Sequence, residues 1–211
     1  MSEVFRIKDL NVQYTPELNG GGTYIGQDFL NVLKHKYPNK KFTRCLDWCS
    51  GPGFIGFTLL AHNYCDSLCL IDSNSQAIKY ACQSIENTPF KNLTTTYNIS
   101  SIKDLPIQEK FDLVVSNPPH FNLEVYWQEH IHQNNKLIYL DQDWQIHYDF
   151  FRNIKSHLTD NGVIILQESI WGCNSNTFDE ILDLNELKVQ DHYPEFTKHT
   201  YPIFYLEITH K

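Results

Sequence analysis

The stretch "LDWCSGPGFIG", residues 46–56, constrains this chain more than any other. Gly51, Gly53 and Gly56 spell G-x-G-x-x-G between an apolar run, "FTRCLDW", and a second apolar run, "GFIGFTLLAHN". A glycine loop leading from a buried strand into a helix brings backbone N–H groups up to a nucleotide-like ligand. Asp72 lies 19 residues beyond Gly53, at the end of "SLCLID", where a carboxylate can accept both hydroxyls of a ribose. Yet Asp47 stands just before the glycines, a carboxylate that a hydride-transfer site does not need. The glycines alone leave the ligand open.

The rest of the chain repeats this alternation. "GQDFLNVLKHKY" spaces Phe29, Leu30, Val32, Leu33 and Tyr37 as a helix, and Gly20 to Gly22 read as a flexible joint before it. "FTRCLDW" and "SLCLID" read as strands one and two. Ser73 or Asn74 caps the next helix, whose apolar face is Ala77, Ile78, Ala81, Cys82 and Ile85. "NLTTTYNI" and "FDLVVS" follow as strands three and four. Residues 117–141 are polar and aromatic without periodicity. Helical spacing resumes in "QDWQIHYDFFRNIKSHL" through Trp144, Tyr148, Phe151, Ile154 and Leu158. "TDNG" is expected to turn the chain into strand five, "VIILQES". After a short helix near Phe178 to Leu182, "LKVQDHY" and "YPIFYLEITHK" have no helix between them and should pair antiparallel. The expected fold is α/β, a Rossmann-like doubly wound sheet of seven strands, mostly parallel, closed by a C-terminal antiparallel hairpin.

Composition narrows the class. The 211 residues are 41% hydrophobic and 20% charged, which suits a folded domain. The expected division is a leader over residues 1–22 and one domain over 23–211. A net charge of −8 argues against an independent grip on nucleic acid, which needs clustered Lys and Arg. "KHKYPNKKFTR" is a local basic run, read as a solvated helix end. Cys45, Cys49, Cys65, Cys69, Cys82 and Cys173 form no C-x-x-C pair and read as free thiols in a reducing compartment. The N-terminus has no signal-peptide run, and no stretch approaches the ~18 apolar residues of a spanning helix. A cytosolic protein without a membrane partner is expected.

In an open α/β sheet, ligands lie beyond the carboxyl ends of the strands. Asp47 ends strand one, Asp72 ends strand two and Asn117 follows strand four, so all three are expected in one crevice. The sequence after strand four is "SNPPHF", residues 116–121. Two successive prolines remove two backbone donors and fix φ, so the chain leaves the strand in one direction. The Asn117 side-chain oxygen and the Pro118 carbonyl can then each accept one N–H of an amino group. That arrangement would aim the nitrogen lone pair at a methyl donor, and orientation supplies much of the catalysis for such a displacement.

At these residues the chain resembles class I S-adenosylmethionine-dependent methyltransferases of the N-P-P-[YFW] amino-methylating group. That group includes release-factor glutamine N5-methyltransferases and RNA adenine N6- and guanine N2-methyltransferases. The resemblance spans roughly residues 23–210 and rests on "LDWCSGPG", "LIDSN" and "FDLVVSNPPH". It implies S-adenosylmethionine as cofactor, held by Asp47, Cys49, Gly51, Gly53, Asp72 and Ser73. Asn98 or Ser100 would lie beside the adenine, and Thr23, Tyr24 and Gly26 would close over the methionine end. Asn117, Pro118, Pro119 and His120 would form the acceptor site. Two positions depart from the family pattern. Cys49 stands where a glycine is usual, and His120 stands where an aromatic ring packs on the planar substrate group; His120 or Phe121 is expected to stack there instead.

The loop residues Glu124, Tyr126, Trp127, Glu129, His130 and His132, with His120 and His147, match no compact metal spacing. No metal is expected, and the aromatics read as a pocket or lid. Asp141 and Asp143 read as caps of the following helix and, secondarily, as general bases. The acceptor stays open between a protein glutamine, a nucleobase and a small molecule; the acidic charge and the lack of an added RNA-binding domain lower the RNA option unless a basic or activating partner subunit supplies the grip. A cofactor-binding scaffold without catalysis is the alternative from another class.

Overall fold

Alternation of period two begins in the leader, where Leu10, Val12 and Tyr14 are buried and Asn11 is exposed. This pattern folds as β1 (Glu3–Ile7) and β2 (Leu10–Tyr14), an antiparallel hairpin with Val12 opposite Phe5. The computed structural model describes residues 2–123, 136–196 and 202–211. Contacts divide the chain into two units: Met1–Ser100 with Phe111–Ser116, and Ser101–Lys110 with Asn117–Lys211.

In the first unit, the hairpin is followed by α1 (Gly22–Lys36), β3 (Phe42–Trp48), α2 (Phe54–Ala61), β4 (Cys65–Asp72), α3 (Ser75–Ile85), β5 (Thr94–Asn98) and β6 (Phe111–Ser116). The four later strands run parallel in the order β5-β4-β3-β6. Their register brings Asp72 beside Asn98 and Trp48 beside Ser116, so the carboxyl ends of all four strands come level. Phe54, Ile55, Phe57, Leu59 and Leu60 are all buried, which makes α2 an interior helix and not an amphipathic one. The Asn74 side chain accepts the Gln76 N–H at 3.0 Å and caps α3, whose buried face includes Ala77, Ile78, Ala81 and Ile85. The hairpin is stitched to this layer by Gln13 N–H donating to the Ser84 hydroxyl at 2.8 Å. The Tyr14 ring also meets Phe54 edge-on at 5.1 Å.

In the second unit, α4 (Lys136–Tyr139) and α5 (Gln145–Ile154) precede β7 (Leu158–Ser169), α6 (Asp179–Leu184), β8 (Leu187–Pro194) and β9 (Ile203–His210). The strands pair antiparallel in the order β7-β9-β8, with Leu166 opposite Leu206. The strands β3 to β9 belong to one seven-stranded sheet, the α/β architecture expected from the alternation, with β8 and β9 as the antiparallel closing pair. Among the described residues no helix is long and apolar enough to cross a membrane.

Three local expectations change. Gly20 and Gly21 take φ of 49° and 84°, and α1 starts at once with Gly22. A Cβ on Gly22 would lie 2.3 Å from the Phe54 ring, so the glycine run is a packed turn and not a flexible joint. Helix α5 begins at Gln145, later than its spacing suggests, because Asp143 and Trp144 are left-handed at φ 53° and 57°. The "TDNG" residues lie inside β7, where the Thr159 carbonyl faces a ring nitrogen of His210 at 3.0 Å, so pairing overrides turn propensity.

The α1–α2 contact depends on Gly26 in the same way. A Cβ there would come within 2.5 Å of the Thr58 hydroxyl and 2.8 Å of the Phe54 carbonyl oxygen. Overpacking costs roughly 1–3 kcal/mol, and a backbone atom cannot turn aside, which puts this clash at the upper end. That exceeds the roughly 1 kcal/mol by which Ala is better than Gly in a helix interior. Gly26→Ala is therefore expected to lower the denaturation midpoint; a midpoint at or above that of the parent would contradict the close helix approach.

Candidate active site

The first unit assembles its polar residues where three strands end. Asp47, at the end of β3, is fully buried. One carboxylate oxygen, Oδ2, accepts the Gly56 N–H at 2.8 Å; Oδ1 is buried with no hydrogen-bond partner among the described residues. Burial raises the Asp47 carboxyl to about 8, opposed by the Gly56 N–H and reinforced by the charge of Asp72. The third glycine is needed for space, since a Cβ on Gly56 would meet Leu68 at 2.7 Å and Asp47 at 3.0 Å. Cys49 adopts φ 55°. The chain therefore keeps the left-handed turn a glycine would favour, with a side chain attached.

Asp72 ties the loop to the next strand. Its Oδ2 accepts the Gly51 N–H at 2.7 Å and its Oδ1 the Asn74 N–H at 2.8 Å. Each oxygen keeps a lone pair for a further donor. Burial raises the Asp72 carboxyl, opposed by those two N–H groups. Asn98 donates its amide to the Asp72 carbonyl at 2.9 Å, which seats it beside Asp72. Ser73 lies between Asp72 and the Asn74 cap. Thr23 sits in the first turn of α1, with N–H and hydroxyl 3.4 and 3.5 Å from the Asn19 side-chain oxygen. Tyr24 is 73% exposed, and Gly26 serves the α1–α2 contact. The Leu18 carbonyl lies 3.9 Å from where a Gly51 Cβ would be, so the segment entering α1 passes the glycine loop.

This donor set fits S-adenosylmethionine. Asp72 has lone pairs for ribose hydroxyls, Asp47 Oδ1 is an unmatched acceptor for an ammonium group, and the glycine loop offers close backbone approach.

The chain passes from Ser116, whose hydroxyl donates to the Trp48 carbonyl, directly into Asn117. Asn117 Oδ1 is buried and has no hydrogen-bond partner among the described residues, an acceptor whose desolvation those residues leave uncompensated. Pro118 and Pro119 are buried beside it. Just beyond, the Phe121 N–H donates to the Tyr139 carbonyl at 2.9 Å, and the Asp141 N–H donates to the Phe121 carbonyl at 2.8 Å.

His120 is 2% exposed, and its Nδ1 faces Glu168 Oε2 at 3.5 Å. Glu168 escaped the sequence reading. It also meets His147 Nε2 at 2.9 Å, and His147 Nδ1 meets Asp141 Oδ2 at 2.6 Å. Asp141 accepts the N–H groups of Ile146 and His147 at 2.8 and 3.0 Å, the helix cap the sequence suggested. Burial alone would lower His147, but Glu168 and Asp141 raise it to about 9. Burial alone would raise Glu168, but His147 and His120 hold it down at about 2. The available signal was an ionisable residue within "VIILQES", an otherwise apolar strand, near its carboxyl end.

Glu124, Tyr126, Trp127, Glu129, His130 and His132 lie outside the described residues. Among the described residues no group of three or more His, Cys, Asp and Glu is arranged to hold a metal ion. His147 contacts carboxylates and the rings of Phe178, Trp144 and Phe151.

The chain is similar to several known methyltransferases. A stretch of 79 residues is 38% identical to the tRNA1(Val) (adenine(37)-N6)-methyltransferase of Parabacteroides distasonis, covering 37% of this chain and 33% of that protein. A stretch of 91 residues is 30% identical to the ribosomal RNA small subunit methyltransferase C of Buchnera aphidicola, covering 43% and 26%. The matches thus span about a third and a quarter of these relatives. The ribosomal protein L11 methylase of Lactobacillus delbrueckii subsp. bulgaricus shares the fold with a TM-score of 0.60 at 16% identity, over 92% of this chain and 83% of that one. The model of the methyltransferase small domain matches residues 26–169. The glycine loop, Asp72 and the Asn117-Pro118-Pro119 exit all fall inside that span, and the chain belongs to the methyltransferase small domain family.

Proposed function

We propose that this protein is an N-methyltransferase that moves the methyl group of S-adenosylmethionine to the exocyclic amino nitrogen of an adenine in cytosolic RNA. The observation that carries this reading is Asn117 Oδ1, a buried acceptor without a partner among the described residues, set before two prolines at the end of a parallel strand. Bound S-adenosylmethionine supplies an electrophilic methyl group. The protein's part is to hold the acceptor. Asn117 Oδ1 takes one N–H and the Pro118 carbonyl the other, so the nitrogen lone pair is free and aimed. The methylated nitrogen then releases its extra proton to water, and no general base is required for the displacement itself.

The names of the two curated relatives support an RNA base as acceptor. The charge of −8 indicates that much of the RNA grip comes from elsewhere, such as a basic or activating partner subunit. The test is incubation of the protein with isotopically labelled cofactor and unmodified transfer and ribosomal RNA, followed by digestion to nucleosides. N6-methyladenosine is the expected product; label confined to protein, or to ribose or carbon positions, would overturn the reading.

Asp72→Ala should weaken cofactor binding by roughly 1.5–3 kcal/mol, as charge-assisted bonds to the ribose and the tie to Gly51 are lost together. Calorimetry with S-adenosylhomocysteine measures this, and an unchanged affinity would remove Asp72 from the site.

Asp47 gives a pH signature. Its folded value near 8 exceeds its ordinary 3.8, so the stability it contributes is complete below about pH 4 and is lost as pH rises through 8. Asp47→Asn should therefore gain stability relative to the parent progressively between those limits. If Asp47 Oδ1 meets the cofactor's ammonium, binding at pH 7 also releases a proton, seen as buffer-dependent enthalpy that the Asn variant lacks. Parallel stability curves for parent and variant would contradict the assignment.

A further inference from the structure

We propose that Glu168 is a positioning residue for methyl transfer: with Asp141 and His147 it holds the Asn117–His120 exit by the His120 ring, and it does not touch the acceptor. The inference rests on the reading of Asn117 and Pro118 as the acceptor site.

A closed circuit of contacts runs through the second unit. Starting at His120, the backbone continues to Phe121, whose N–H and carbonyl bond the Tyr139 carbonyl and the Asp141 N–H at 2.9 and 2.8 Å. From Asp141 the path runs through side chains, to His147 at 2.6 Å, then Glu168 at 2.9 Å, then back to His120 at 3.5 Å. His120, Asp141, His147 and Glu168 are each at most 2% exposed. Four buried titratable groups joined in one path are costly to fold unless their charges are matched.

The groups facing each member come from every packed element. His147 meets Asp141 and Glu168 through its two nitrogens and stacks flat on Phe178 at 4.7 Å, with Trp144 edge-on at 5.1 Å. Glu168 faces His147, His120 and the Cys173 thiol, which is 3.5 Å from Oε2. With His147 protonated, Glu168 is left as a carboxylate whose second oxygen is directed to His120. The 3.5 Å between Oε2 and Nδ1 places this carboxylate against the edge of the His120 ring.

Independent support comes from Gly172. A Cβ on it would fall 1.7 Å from the His120 carbonyl oxygen. The segment after β7 thus abuts the backbone of His120 while Glu168, four residues earlier, faces its ring. His120 is therefore flanked at both its backbone and its ring, and a ring 2% exposed is not an open face on which an acceptor would stack. The device replaces the stacking role expected for the fourth residue of the motif.

The experiment uses the full chain with Glu168→Gln and Glu168→Asp. Amide hydrogen exchange at Phe121 and Asp141, 15N titration of His147, the affinity for S-adenosylhomocysteine and the methyl-transfer rate at saturating cofactor are read on each. Glu168→Gln is expected to keep cofactor affinity within about twofold. It should speed exchange at both amides at least tenfold, lower the His147 titration point and reduce kcat at least tenfold. Glu168→Asp should restore part of each. Unchanged exchange and an unchanged His147 titration would overturn the proposal whatever the rates show. Those two readings need no turnover, so they separate its failure from failure of the acceptor assignment, which shows instead as absent methyl transfer in the parent. Should Glu168→Gln not fold, Gly172→Ala tests the same grip from the backbone side: faster exchange at Phe121 supports it, and parental exchange overturns it.

Discussion

The Asp72 carboxylate and the peptide beside it hold the cofactor side of this protein in shape. One oxygen takes an N–H from the glycine loop and the other an N–H from the start of α3, while the Asp72 carbonyl receives the Asn98 amide. Three strand ends and two helix starts are thereby referenced to one residue. The tie is an ionic acceptor on neutral donors, the stronger class of hydrogen bond. It also leaves lone pairs open, so the same group that shapes the site can serve it. Asp47 plays the opposite part. It is buried with one oxygen unmatched among the described residues and a raised proton affinity, a site that gains when a cation arrives.

In the second unit the constraint is a buried charge. Glu168 stays ionised in the interior because His147 is ionised next to it, and His147 stays so because Asp141 flanks its other nitrogen. Such chains contribute little net stability but are sharply intolerant of losing one member. That intolerance suits a loop whose backbone must point in one direction. The prolines restrict the chain locally; the buried path holds its far end.

Much of this was legible in the sequence because local rules and tertiary demands agree. "FTRCLDW" and "FDLVVS" are apolar strands with the expected bounds, and Asp47, Asp72 and Asn117 fall at or just after strand ends as the alternation requires. The closing antiparallel pair was legible from the lack of a helix between two strands. What was not legible depends on contacts distant in sequence. The Gly20–Gly22 run reads as flexible until Phe54 is seen against Gly22. Cys49 reads as a departure until its left-handed φ shows that the turn is kept. Glu168 reads as a strand residue until the fold brings it to His147 and His120, 21 and 48 positions away. His120, read from its place in the motif as an acceptor-site residue, is buried with its Nδ1 3.5 Å from Glu168, a neighbour the motif does not announce.

The claim at the centre of this account is that Asn117 orients the acceptor nitrogen without touching the cofactor. Single-turnover methyl transfer by Asn117→Ala at saturating cofactor, with cofactor affinity measured on the same sample, tests it most directly. The expected result is an affinity near that of the parent with a transfer rate down by roughly a hundredfold or more, the scale of a misaligned reacting pair. A variant that transfers at the parental rate, or one that loses cofactor affinity in step with its rate, would contradict it.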